Sequence, residues 1–244
     1  MGGFLVSVFV RSEDQTAVLE AAKGTLGPQY QVDPVADLQQ KMRKLMPPGD
    51  EVKFGGVITQ FLKAAFPKDM PLFLVSPSRN GWVGVHDSKM QGQGEALCAD
   101  VARQLSGRLN TTAVTFLIHD GDFLCYWLAR NGELLDEYNS MPGYFDEGPS
   151  GEPSGGDPAL LAEACCVPGQ VAELAKLLSG PAGNPFDQLE SLGRVLQLVD
   201  PTVDYDSLTY RPPDQIGMTR PGFEAPQIAD RTQYISVTKA DLNG

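Results

Sequence analysis

Long apolar runs are missing from this chain. No stretch approaches the roughly 20 residues that a membrane-spanning helix needs, so no membrane association is expected. The apolar run Phe4–Val10 is short, has no basic residue before it and meets Arg11 at once; it does not read as a secretory signal. Basic residues are also scarce. Lys and Arg number 19 against 31 Asp and Glu, for a formal net charge of −12. Neutralising phosphates takes clustered Lys and Arg, so the composition argues against nucleic acid as a partner. The four cysteines, Cys98, Cys125, Cys165 and Cys166, form no C-x-x-C pair, and neighbouring cysteines do not readily bridge each other. Reduced, buried thiols in a cytoplasmic protein are the expectation.

Several catalytic signatures are absent as well. There is no G-x-x-x-x-G-K-[ST] phosphate loop, no G-x-G-x-x-G after a strand and no G-x-S-x-G elbow. No organic cofactor is therefore expected.

The most informative stretch that is present runs from Ala113 to Phe145. It reads as three consecutive antiparallel strands, with Asp120-Gly121 and Asn131-Gly132 as the turns. Residues 123–128 (FLCYWL) are apolar on both sides of the pleat, which marks a strand covered on both faces. Upstream, Phe4–Arg11 alternates as a strand. A helix follows, with Val18, Leu19, Ala22 and Leu26 on one face, and Gly27-Pro28 ends it. Pro71–Val75 and Trp82–His86 form a hairpin around Asn80-Gly81. Gln93–Leu109 is an amphipathic helix.

Strand, helix, hairpin, helix and strands in this order predict an α+β fold. The expected sheet is antiparallel, in a ferredoxin-like βαββαβ order with extra C-terminal strands. Residues 1–146 would form this sheet domain, with a partly helical insert at 33–69 (helices at Val35–Leu45 and Val57–Phe66). Residues 147–157 read as a flexible acidic Gly/Pro linker. Residues 158–209 read as helices packing on the second sheet face, and 210–244 as an extended tail in which residues 233–238 add a late strand.

The pattern GWVGVHD, followed by HDGDFLCYWLARNGELLDEYNSMPGYF, resembles a family of uncharacterised bacterial proteins over roughly residues 70–146. That family has no assigned activity. The resemblance implies a bacterial cytosolic origin and carries over no catalytic residue.

Both histidines precede an aspartate at a strand end. His86, Asp87, His119, Asp120 and Asp122 are therefore candidate ligands for a divalent metal, since imidazole and carboxylate together suit such an ion with open positions. That reading makes the chain a metal-dependent hydrolase. The competing reading rests on charge. From Asp120 to Asp157 there are nine acidic residues and one basic residue, Arg130. A recognition patch of Asp136, Glu137, Tyr138, Tyr144, Phe145, Asp146 and Glu147 would offer apolar anchors in an acidic rim to a basic protein partner. The leading expectation is thus a non-enzymatic binding protein. Oligomeric state is not legible in the sequence.

Overall fold

The computed structural model describes residues 4–30, 71–92, 94–145, 151–179, 183–209 and 233–242. The two helices expected within the insert, and residues 210–232 of the tail, lie outside these residues.

Local sequence sets the first elements. Strand β1 (Leu5–Arg11) alternates its side chains between two buried faces. Helix α1 (Gln15–Leu26) starts where the Asp14 carboxylate accepts from the Ala17 amide at 3.0 Å, a side-chain cap for an otherwise orphaned donor. A 3₁₀ turn at Gly27–Tyr30 follows. The short β2 (Phe73–Val75) and β3 (Trp82–Asp87) come next, then helix α2 (Glu95–Leu109). Strands β4 (Thr112–His119), β5 (Phe123–Arg130) and β6 (Glu133–Asn139) form a meander. Both central residues of the turns at Asn80-Gly81, Asp120-Gly121 and Asn131-Gly132 have positive φ. This backbone matches the twist of paired strands, and Asn, Asp and Gly adopt it at least cost.

The C-terminal half contributes two-residue β7 (Ser154–Gly155) and helices α3 (Pro158–Ala164), α4 (Val171–Ser179), α5 (Pro185–Leu196) and α6 (Tyr205–Thr209). The chain then returns as β8 (Ile235–Val237).

The ferredoxin-like expectation is corrected by the sheet these strands build. The described residues form one eight-stranded sheet in the order β7-β6-β5-β4-β1-β3-β2-β8, and every pairing is antiparallel. It is a large α+β sheet, not a simple four-strand ferredoxin-like layout. The physical reason lies at the edges. An edge strand offers a row of unpaired backbone groups. Here β7, from the Gly/Pro connector, pairs with β6 on one side, and β8, from the tail, pairs with β2 on the other.

Both faces of the sheet are covered. On one, Val6, Val8 and Val10 of β1 pack with Val18 and Leu26 of α1 and Val101 and Leu105 of α2. On the other, Leu5 and Phe9 pack with Phe116, Tyr126, and Leu161, Leu174, Leu189 and Leu192 of α3–α5. A smaller cluster joins Leu74 of β2 to Val203, Tyr205 and Leu208. Polar side chains inside the sheet tie the layers together: Thr115 Oγ1 donates to the Cys98 carbonyl in α2 (3.1 Å), Thr112 Oγ1 to the Ala164 carbonyl in α3 (3.0 Å) and Trp82 Nε1 to the Leu196 carbonyl in α5 (3.1 Å).

Strand β6 breaks its alternation. Leu128 faces Asp136 but Ala129 faces Leu134, so Leu135 is an extra residue in a bulge. Leu134 and Asp136 therefore lie on opposite faces. The regular alternation of the sequence would have put them on the same one. The bulge turns Asp136 towards the C-terminal helices. There one carboxylate oxygen, Oδ2, accepts from the fully buried Tyr126 hydroxyl (2.6 Å) and from the Asp157 amide at the start of α3 (2.8 Å). Asp136 is a latch between sheet and helix, not a free surface charge. Replacing it by Ala strands a buried hydroxyl, and a cost of about 1–3 kcal/mol is expected. Urea unfolding of Asp136→Ala tests this, and an unchanged midpoint would return Asp136 to the surface-charge role.

Candidate functional site

The five residues proposed as metal ligands are not brought together. His86 shares a face with Phe9, whose ring it meets at 6.4 Å. His119 shares a face with Leu117, two residues back on β4 and part of the opposite core. The two imidazoles therefore project from opposite sides of the sheet, although both strands finish at the same end of it, beside the start of β1. Asp87, next to His86, points away from it by the same alternation. Among the described residues no group of three or more His, Cys, Asp or Glu side chains is placed to hold a metal ion. The residues present do not fit the metal.

His86 is 2% exposed. Its Nδ1 lies 3.4 Å from Ser7 Oγ, a pairing that sequence reasoning missed because the two residues are 79 positions apart. The pair resembles a nucleophile and base, but Ser7 Oγ donates its proton to the Val203 carbonyl at 2.6 Å. A concavity nearby, beside Phe9, Trp82 and Tyr234, has a volume of about 10 Å³, room for about one water. Ser7 and His86 are structural. Asp87 is structural too: its carboxylate accepts from Tyr30 Oη at 2.6 Å and from the Lys89 and Met90 amides at 2.9 Å each. Burial raises the Asp87 pKa, and these bonds work against that shift. Burial also pushes the Tyr30 phenol up.

The recognition patch divides. Tyr138 is core: its ring stacks on Tyr126 at 5.5 Å and its hydroxyl accepts from Gln188 Nε2 at 3.1 Å. Asp136 is the latch described above. Glu137 is exposed on β6. Asp146 and Glu147 lie outside the described residues. Tyr144 and Phe145, by contrast, reach the turn between β4 and β5 and join His119.

There the geometry is concentrated. The His119 ring is half-buried and has four aromatic neighbours: Phe145 at 5.0 Å, Phe4 at 5.1 Å, Phe123 at 5.4 Å and Tyr144 at 5.8 Å between centroids. Phe123 stacks on it, and the other three meet it at steep angles. Tyr144 Oη donates to the Asp122 carboxylate at 2.6 Å, which raises the tyrosine pKa. Asp120 is exposed in the turn beside them.

Four of these rings (Phe4, His119, Phe123 and Phe145) and the Glu95 carboxylate line a cleft of about 320 Å³. Glu95 sits in the first turn of α2, where the positive end of the helix favours its charge. Three large hydrophobic side chains are exposed among the described residues; two of them, Phe4 (49%) and Phe145 (70%), lie in this cleft.

Phe4, Phe123 and Glu95 are members that sequence reasoning did not single out. A signal existed for Phe123, which follows the Asp120-Gly121 turn and so returns opposite His119. Phe4 and Glu95 are too distant along the chain for any local pattern to connect them.

The thiols offer no nucleophile at this cleft. Cys98, Cys125 and Cys165 are buried, and burial pushes each up to about 12. Cys166 is exposed, unlike the buried thiol expected of it.

Burial pushes the His86 imidazole down to about 4. An ordinary histidine titrates near 6.5. Below that pH the unfolded chain takes up a proton that the folded chain refuses, so this group removes stability as pH falls from about 6.5 towards 4. Asp87, shifted up, acts in the opposite sense. Comparing the wild type with His86→Gln cancels the Asp87 contribution. Between pH 6.5 and 5 the wild type is expected to lose about 1.5 kcal/mol more than the variant. Urea unfolding at the two pH values measures this, and equal losses would contradict it.

No family model, no curated protein and no solved structure matches this chain.

Proposed function

We propose that this chain is a non-enzymatic cytoplasmic binding protein whose acidic surface meets a basic protein partner, anchored at the aromatic cleft beside the β4–β5 turn. The observation that carries this reading is the coincidence of exposed aromatic area and carboxylates. Phe4 and Phe145 present their rings to solvent in one cleft. Glu95 lines it, and Asp120 and Asp122 stand exposed at the adjoining turn. An exposed apolar group rimmed by charge of one sign is what a contact with a partner of opposite charge requires. The formal net charge of −12 favours encounter with a basic surface. The three buried free thiols suit a reducing compartment. Among the described residues no helix is long and apolar enough to cross a membrane.

The test uses a lysine-rich decapeptide as probe, titrated into the protein at low and moderate salt. Binding is expected at low salt and weakens as salt rises. Phe145→Ser and Glu95→Lys, both at exposed positions, are each expected to weaken it about tenfold, in the range of an interface anchor. Undiminished binding by both variants, or no binding at low salt, would refute the assignment.

A further inference from the structure

The composition of the cleft specifies more than positive charge. Half of its eight lining residues carry rings (Phe4, His119, Phe123 and Phe145), with Glu95 as its one carboxylate. An aromatic ring presents a negative face to a cation but offers no lone pair to an N–H donor. A lysine ammonium carries three N–H donors, and each needs an acceptor once water is displaced. The other polar side chain able to accept in the lining besides His119 is Gln91, whose amide nitrogen is turned to the Val6 carbonyl at 3.4 Å. A plain ammonium entering this cleft would exchange water for the acceptors of Glu95, Gln91 and His119 and for ring faces that offer its N–H groups no lone pair. A fully methylated ammonium has the same charge, no N–H groups and a larger apolar surface. It gains from the ring faces and loses little on leaving water.

The dimensions and access agree. At about 320 Å³ the cleft admits the end of a side chain and not a whole domain. Phe4 and Phe145, partly in solvent, leave its mouth open. Glu95, in the first turn of α2, supplies the counter-charge next to the cleft.

We infer that the cleft binds the trimethylammonium head of a methylated lysine on the protein partner. This rests on the binding-protein reading above and deepens it. Phe4 and Phe145 provide the exposed ring faces, the stacked Phe123 and His119 rings close the floor between them, and Glu95 balances the charge.

The experiment is an NMR or calorimetric titration of the full chain with four probes. Three are capped five-residue peptides that differ at one side chain: trimethyl-lysine, unmodified lysine, and the neutral tert-butyl isostere of trimethyl-lysine. The fourth is tetramethylammonium chloride. The trimethyl-lysine peptide is expected to bind at least tenfold more tightly than either the lysine or the neutral peptide. Phe145→Leu and Phe4→Leu retain an apolar side chain but remove a ring face. Each is expected to lower trimethyl-lysine affinity at least fivefold while changing the lysine peptide less than twofold. Melting curves of both variants confirm that they fold.

Equal affinity for trimethyl-lysine and lysine overturns this inference and leaves a basic partner in place. Equal affinity for trimethyl-lysine and its neutral isostere shows an apolar cleft with no cation recognition and also overturns it. Binding of tetramethylammonium with no binding of the trimethyl-lysine peptide assigns the cleft to a small free cation in place of a protein side chain. Failure of all three peptides, with the lysine-rich decapeptide still bound, overturns the inference alone. Failure of the decapeptide as well removes both readings.

Discussion

The central strands of this protein have no face they can give to water. Every residue of β5 from Phe123 to Ala129 is buried, and β1 and β4 are almost as dry. A sheet of this kind is unstable until both faces are covered. The N-terminal half supplies α1 and α2 for one face, and the C-terminal half supplies α3–α5 for the other. The need for two helical layers determines where each polar group can sit. The buried hydroxyls of Ser7, Thr112 and Thr115 and the Trp82 indole find carbonyls outside the sheet, because an unpaired donor in so dry a sheet would cost more than the bond itself contributes. His86 and Asp87 follow the same rule. Both are deeply buried, and both are bonded to elements that the sheet holds in place.

The cleft lies where that coverage stops. Helix α2 begins at Glu95, near the sheet end at which β4 finishes and β5 starts. Leu117 is still buried, whereas His119, two residues further on the same face, is only partly so. Aromatic side chains from three separate segments close around the half-buried imidazole: Phe4 before β1, Phe123 at the start of β5, and Tyr144 and Phe145 after β6. Their clustering shields one sheet end incompletely and leaves ring faces beside a carboxylate. The acidic excess of the chain also places charge at the rim of this opening, on Glu95, Asp120 and Asp122.

Much of the element pattern was legible in the sequence, because it depends on neighbours in the chain. The alternating run of β1, the continuously apolar run of β5 and the Asn-Gly and Asp-Gly turns are local signals, and the structure forms the corresponding strands and positive-φ turns. The sheet's extent was less legible. Strand β7 has two residues inside a Gly/Pro stretch, and β8 has three. Segments so short carry no periodicity, and their pairing depends on which edge is open. The bulge at Leu135 was equally hidden, since an inserted residue in a strand leaves no mark in composition.

Residue type and spacing alone account for the charge, the central strands, their turns and the double-sided burial of β5. Tertiary structure decided which chemistry those residues can do. It set the two histidines on opposite faces of the sheet, a consequence of side-chain alternation combined with strand pairing that no single strand reveals. It also turned Asp136 inward through one extra residue, buried Tyr138 in the core, and gathered Phe4, Glu95, His119, Phe123 and Phe145 at one sheet end. Contacts between residues some 20 to 140 positions apart are set by how layers pack, and packing is a property of the assembled sheet.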